Sequence, residues 1–247
     1  MDVGIAPELL DDITPIEEAV CSAGCTATRL NLAAIETADV SIIPVQGSKR
    51  LAFAVQSDIS LPLLPIDTNS GIGSISVAQT ENAVNAITRG DYDVIHRSAL
   101  SIECDGVSEE LALTEVLFVT QEPAAISEFQ IRTPVANIAE YRADGVVVST
   151  AAGSSGYART VGSPIMSPEV NAASVTTIAP YKIDPDHWIV GEPGVIIEVT
   201  RDESDVLMIA DGAIREMVPP QSPVFLRLDQ RYRTVRVPQS VSPFTQR

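Results

Sequence analysis

Asp144-Gly145-Val146-Val147-Val148-Ser149-Thr150-Ala151-Ala152-Gly153-Ser154-Ser155-Gly156-Tyr157 is the stretch whose reading decides the fold. An acidic residue and a glycine precede a continuous apolar run, the pattern of a strand buried on both faces. Small residues and hydroxyls follow, and then one tyrosine. A loop so poor in side chains lets a ligand approach the backbone closely. Its amides can bind oxyanions, its hydroxyls can meet ribose or phosphate oxygens, and the Tyr157 ring can stack on a flat heterocycle. A Gly/Ser surface turn followed by a core tyrosine has the same composition and stands as the alternative.

Downstream and just upstream of this stretch the chain is β-rich. Residues 111–119, 128–132, 145–150, 195–200, 206–210, 224–228 and 234–237 are short β-branched or apolar runs separated by turn residues, a sheet-on-sheet signature. The first hundred residues differ. Strands are predicted over 3–6, 26–32, 40–45 and 61–66. A helix opening at Pro7 carries Leu9, Ile13, Ile16 and Val20 on one face and ends at Gly24, and further helices are predicted over 49–56 and 80–89. Alternating strands and helices imply a parallel sheet. A boundary near Arg97-Ser98 therefore divides an α/β domain, residues 1–97, from a β-rich domain, residues 98–247.

The 247 residues carry 33 Asp and Glu against 16 Lys and Arg, a net charge of −17. Such a field repels phosphate backbones, so nucleic acid is not an expected partner. Only Lys49 and Lys182 are lysines, and this acidic, lysine-poor balance is that of proteins from a high-salt cytoplasm, where counterions screen self-repulsion. No stretch approaches 18 apolar residues and no basic and apolar leader opens the chain, so a cytoplasmic protein without a membrane partner is expected. Cys21 and Cys25, one turn apart on the predicted helix, and Cys104 read as small buried thiols. With His96 and His187 as the only histidines, and those read as structural or surface residues, neither a metal site nor a hydrolase triad is expected. Gly71-x-Gly73 lacks the third glycine of a Rossmann fingerprint, and Gly153-Ser154-Ser155-Gly156 lacks the spacing of a nucleophile elbow.

The decisive stretch resembles the NAD kinase family's signature of an acidic-Gly pair, an apolar strand, and Thr-x-Thr-Gly-Ser-Thr-Ala-Tyr before a Gly-x-Pro-Ile turn, here Gly162-Ser163-Pro164-Ile165. Other pieces follow in family order. Leu63-Leu64-Pro65-Ile66-Asp67-Thr68 before Gly71-Ile72-Gly73 resembles Leu-Gly-Ile-Asn-Thr-Gly-x-Leu-Gly-Phe. Gly90-Asp91-Tyr92 to Arg97-Ser98 resembles the following Gly-Asp-Tyr and Arg-x-x-Leu run, Leu113-Thr114-Glu115-Val116 resembles Leu-Asn-Glu-Val, and Asp211-Gly212 resembles a late Asp-Gly turn. The resemblance implies an N-terminal Rossmann-like α/β domain, a C-terminal β-sandwich-like domain and an NAD or NADP site lined by Thr114, Glu115, Asp144, Gly153, Ser155, Gly156, Tyr157 and Thr160. Thr114 replaces the motif's Asn, Ala152 its second Thr, and Ser74 its Phe. It also implies a homo-oligomer, dimer or tetramer.

The third strand departs furthest. The family carries Gly-Gly-Asp-Gly-Thr there, to hold ATP phosphates and supply the Asp implicated as base for the ribose 2′-hydroxyl. This chain has Pro44-Val45-Gln46-Gly47-Ser48. One register puts Gln46 at the Asp position and keeps Gly47 and Ser48 in the phosphate turn; a shift by one puts Gly47 there. Neither residue accepts a proton. Pro44 lacks an N–H and Val45 is branched where two glycines would admit phosphate. The nearest carboxylates in sequence, Asp39 and Asp58, lie outside the turn. Lys49 and Arg50 read either as new phosphate contacts or as a solvated pair. Two functions follow from the resemblance: ATP-dependent 2′-phosphorylation of NAD with Mg²⁺ on the phosphates, or, with the Asp missing, a catalytically inactive dinucleotide-binding regulator or partner subunit. A third reading is an oligomerisation module without a ligand.

Overall fold

The computed structural model describes residues 1–68, 71–104, 110–122, 125–182 and 186–241. The chain clusters into two compact units, one of Met1–Arg97 with Arg231–Arg247, the other of Ser98–Gln230. Among the described residues, no helix is long and apolar enough to cross a membrane.

The first unit runs β1 (Asp2–Ile5), a 3-10 turn at Pro7–Leu9, α1 (Thr14–Ser22), β2 (Thr26–Arg29), β3 (Ile43–Gln46), α2 (Ser48–Gln56), β4 (Leu63–Ile66), α3 (Thr80–Thr88) and the start of β5 (Asp93–Glu103). β1 pairs in parallel with β2, and β3 in parallel with β4 with Gln46 opposite Ile66. Ile16 and Val20 of α1, Ala83, Val84 and Ile87 of α3, and Leu64 and Ile66 of β4 share one buried cluster. The helix expected from Pro7 starts seven residues later. Pro15 has no N–H for an intrahelical bond and is tolerated only in a first turn. The helix therefore opens at Thr14, whose N–H donates to Asp12 Oδ1 at 2.9 Å. Gly24, at φ +73°, ends it, which leaves Cys25 outside the helix. The thiols are not buried as expected: Cys21 is exposed, and Cys25 and Cys104 are half-buried.

The second unit continues with β6 (Glu110–Ala112), β7 (Glu115–Thr120), β8 (Ser127–Thr133), β9 (Ala136–Ala143), β10 (Gly145–Thr150), α4 (Tyr157–Thr160), β11 (Ala173–Ile178), β12 (Trp188–Val190), β13 (Gly194–Arg201), β14 (Val206–Ala210), β15 (Ile214–Val218) and β16 (Val224–Arg236). One sheet has the order β12-β11-β10-β7-β14-β15, all antiparallel. Against it stand β9, β8, β13 and the first half of β16, also antiparallel. Val146 and Val148 of β10, Phe118 of β7, Phe129 of β8, Ile197 of β13 and Leu226 of β16 meet in one core cluster. Truncating a buried phenylalanine such as Phe118 costs about 3–5 kcal/mol. Gly145 is obligatory for the same packing, because a Cβ there would collide with the Phe118 carbonyl oxygen.

Three expectations change. The run 111–119 is two strands, because the chain leaves the sheet at Leu113-Thr114 to bond a carboxylate described below. Residues 224–228 and 234–236 belong to the single strand β16, which ends before Val237. The segment from Arg231 onward joins the first unit rather than the β-rich one, since Thr234 pairs with Leu63 and Val235 and Val237 sit in the first unit's core.

Candidate functional site

In the second unit, Asp211 organises the end of β14. Its Oδ1 accepts the Thr114 hydroxyl at 2.6 Å, the Thr114 N–H at 2.8 Å and the Glu115 N–H at 3.1 Å, and its Oδ2 accepts the Leu113 N–H at 2.7 Å. Asp211 stands at φ +48°, a conformation that Asp tolerates better than most residues. This carboxylate does what a ladder cannot: it satisfies three consecutive amides and frees the carbonyls for the neighbouring strand. Thr150 takes both, donating its hydroxyl to the Leu113 oxygen at 2.7 Å and its N–H to the Thr114 oxygen at 2.8 Å.

The small-residue loop then folds over that turn. A Cβ at Gly153 would strike the Thr114 carbonyl oxygen, so this glycine serves close packing. Ser154 is fully buried and its Oγ accepts the Met166 N–H at 2.9 Å while donating to the Ala151 oxygen at 2.8 Å. Ser155 is half-buried, and Gly156, Tyr157 and Thr160 are exposed. Tyr157 leaves 41% of its surface accessible, and the Thr160 hydroxyl donates to the Tyr157 oxygen at 2.7 Å. Glu115 lies beneath, bonded by the Ala158 N–H. Burial pushes its carboxyl up to about 7 against the lowering effect of that N–H, with the Asp211 charge adding to the rise. Its Oε2 has no hydrogen-bond partner among the described residues.

The structure thus brings together Thr114, Glu115, Gly153, Ser155, Gly156, Tyr157 and Thr160, but not Asp144. That residue precedes β10 and the loop follows it. Six strand residues separate them, about 20 Å at roughly 3.3 Å per residue. Thr114 is a structural member, its hydroxyl hydrogen taken by Asp211. Asp211 itself was visible in sequence only as a turn dipeptide; its role depends on contacts 96 to 98 residues away.

In the first unit, Gln46 ends β3, and Gly47 turns the chain into α2 at φ +81° with its N–H on the Ile66 oxygen at 2.8 Å. Val45 and Pro44 are buried within β3, so the Val45 side chain fills core and does not occupy the lip of the turn. The Asp11 N–H donates to Gln46 Oε1 at 3.1 Å, which directs Nε2 to Asp67 Oδ2 at 3.4 Å. Arg50 is half-buried, and its Nη1 pairs with the exposed Asp11 Oδ1 at 2.7 Å. Lys49 is exposed. Among the described residues, no three His, Cys, Asp or Glu side chains converge on a metal position.

The family model of the ATP-NAD kinase C-terminal domain matches residues 113–236. An NAD kinase of Methanothermobacter thermautotrophicus is 30% identical over 70% of this chain and 62% of its own, and one of Methanosarcina mazei is 28% identical over 68% and 58%. The chain therefore spans about three fifths of the length of these curated relatives. The crystal structure of an NAD kinase from Archaeoglobus fulgidus in complex with ATP superposes with TM-score 0.68 at 18% identity, covering 97% of this chain and 94% of that one. Yeast NADH kinase complexed with NADH gives 0.71 at 14% identity, covering 97% and 84%. The fold is that of NAD kinases and the profile match covers half the sequence, so the chain belongs to the NAD kinase family.

Proposed function

We propose that this protein binds NAD(H) or NADP(H) with its second unit and transfers a phosphoryl group from ATP to the adenosine ribose 2′-hydroxyl of NAD. The observation that carries the binding half is the exposed Tyr157 ring on a braced loop of small residues, over a turn held by Asp211. A heterocycle stacks on the ring while the Ser155 hydroxyl and the loop's amides meet ribose and phosphate oxygens, and the Thr160 Oγ, whose hydrogen is held by the Tyr157 oxygen, accepts from a ribose hydroxyl. The phosphoryl half rests on family membership and on the turn at Gly47. The donor set suits a dinucleotide. Among the described residues no carboxylate cluster forms a cage for Mg²⁺, and the ion would enter on the triphosphate, neutralising its charge, as this ion commonly does.

A second reading, a dinucleotide-binding protein without transferase activity, is favoured by Gln46 at the position of the motif's Asp. One experiment separates the two. Purified protein in molar KCl is titrated with NAD and NADP by calorimetry, and its NADP production from NAD, ATP and Mg²⁺ is followed with an NADP-specific dehydrogenase. Binding with NADP production supports the kinase; binding alone supports the second reading; no binding at millimolar ligand overturns both.

A further inference from the structure

We propose that Asp67 is the proton acceptor of the phosphoryl-transfer turn, an inference that rests on the kinase reading above. Gln46 cannot take a proton, but its side chain does not stand alone. The amide is oriented by the Asp11 N–H on Oε1, so its Nε2 addresses Asp67 Oδ2 at 3.4 Å. An amide and a carboxylate thus sit side by side at the carboxyl ends of two adjacent parallel strands, the place where ligands bind in such sheets. Asp67 follows β4 immediately, as Gly47 follows β3, and the Gly47 N–H bonds the oxygen of Ile66, the residue before Asp67, at 2.8 Å, which ties the two strand ends together. The Asp67 N–H is held separately by the Ile75 oxygen at 2.8 Å.

Two carboxylates lie beside Gln46, and their surroundings tell them apart. Asp11 is taken by Arg50 at 2.7 Å. Asp67 is exposed and its carboxylate has, among the described residues, only the long amide contact, so its oxygens face solvent and can meet a hydroxyl. Against the resembling motifs, the arrangement is an exchange: Asp on the first strand end and Asn on the second there, Gln46 and Asp67 here. The same pair of functional groups is present with the strands swapped.

The step balances without another reactant. Asp67 takes the proton of the 2′-hydroxyl, the freed oxygen forms its bond to the γ-phosphorus of ATP, and the bond from that phosphorus to the bridging oxygen breaks. ADP leaves with the electron pair.

The test measures kcat and KM for NAD in molar KCl on four proteins: unmutated, Asp67→Asn, Gln46→Asn, and the double variant Gln46→Asp with Asp67→Asn. Asn tolerates the left-handed conformation of Asp67, φ +48°, as Asp does, so Asp67→Asn folds, and calorimetry with NAD verifies that it still binds. Expected are a 10²–10⁴-fold loss of kcat in Asp67→Asn with KM little changed, less than tenfold loss in Gln46→Asn, and recovery of most of the activity in the double variant. An Asp67→Asn protein as active as the unmutated one overturns the assignment while leaving the kinase reading intact. A double variant no better than the single one also overturns it. Unmutated protein that binds NAD and makes no NADP overturns the kinase reading and the assignment with it.

Discussion

The Asp211 carboxylate and the Thr114 hydroxyl meet at 2.6 Å, and the same Oδ1 accepts the Thr114 amide at 2.8 Å, so one residue receives both polar hydrogens of another 97 positions away. With the amides of Leu113 and Glu115, four donors end on one side chain. Unsatisfied buried donors cost about 1–3 kcal/mol each. Asp211→Ala should therefore lose on the order of 3–5 kcal/mol, at the upper end of single substitutions. Asp211→Asn keeps one acceptor oxygen and tolerates the backbone conformation, so its loss should be clearly smaller. Denaturant unfolding at fixed salt reads both, and equal losses would show that backbone strain rather than hydrogen bonding sets the cost.

Glu115 predicts a pH dependence with a definite sign. Its carboxyl is raised to about 7 in the folded protein, whereas an unfolded glutamate titrates near ~4.3. The unfolded chain thus loses its proton first as pH rises. The contribution of this group is full below about pH 4.5, falls through the window up to about 7, and is flat above it, a change on the order of 3 kcal/mol. Glu115→Gln stays neutral throughout. The variant should match the unmutated protein near pH 4.5 and exceed its unfolding free energy at pH 8. Because other carboxylates titrate in both proteins, the difference between the two curves is the quantity to measure, and parallel curves would refute the buried-carboxyl account.

What was legible in the sequence was whatever depended on near neighbours. The buried run of β10, the helices over 48–56 and 80–88, and the stop at Gly24 follow from local periodicity and φ preference. β5 and β9 were not anticipated, because Asp93, His96 and Arg97, or Asn137, Glu140 and Arg142, interrupt the apolar pattern and the strands exist by virtue of their partners. The site divides the same way. The loop carrying Ser155 and Tyr157 could be read directly. Asp67 could not, since it reaches Gln46 across 21 residues only through the parallel pairing of β3 with β4, whereas Asp39 and Asp58 are nearer along the chain.

Tyr157 tests the binding surface. Its ring is 41% exposed, so Tyr157→Ala removes little packing, and unfolding free energy should change by less than about 1 kcal/mol, as for substitutions away from the core. Affinity for NAD or NADP should fall by about 1–3 kcal/mol, the range for losing an aromatic partner beneath a base. Tyr157→Phe keeps the ring and should bind as the unmutated protein does. Calorimetry on the three proteins decides this, and an unchanged affinity in Tyr157→Ala would remove the ring from the site.

Salt dependence separates two opposing electrostatic effects. Exposed pairs such as Arg29–Glu17, Arg227–Glu103 and Arg236–Asp93 are attractive, but solvent already screens them, and added salt weakens them at little cost. Against them stands an excess of 17 negative charges, whose mutual repulsion acts over a Debye length of about 10 Å at 0.1 M salt and about 3 Å at 1 M. Since acidic residues outnumber basic ones two to one, 33 to 16, most carboxylates have no cation to lose, and relief of repulsion outweighs the weakened pairs. The melting temperature should rise steeply from dilute buffer to about 1 M KCl and flatten as the screening length falls below the spacing of surface charges. Sucrose at matched osmolality stabilises by exclusion from the surface, not by screening, and should not reproduce the steep early rise. A melting temperature that ignores KCl, or that responds equally to sucrose, would refute an adaptation to high salt.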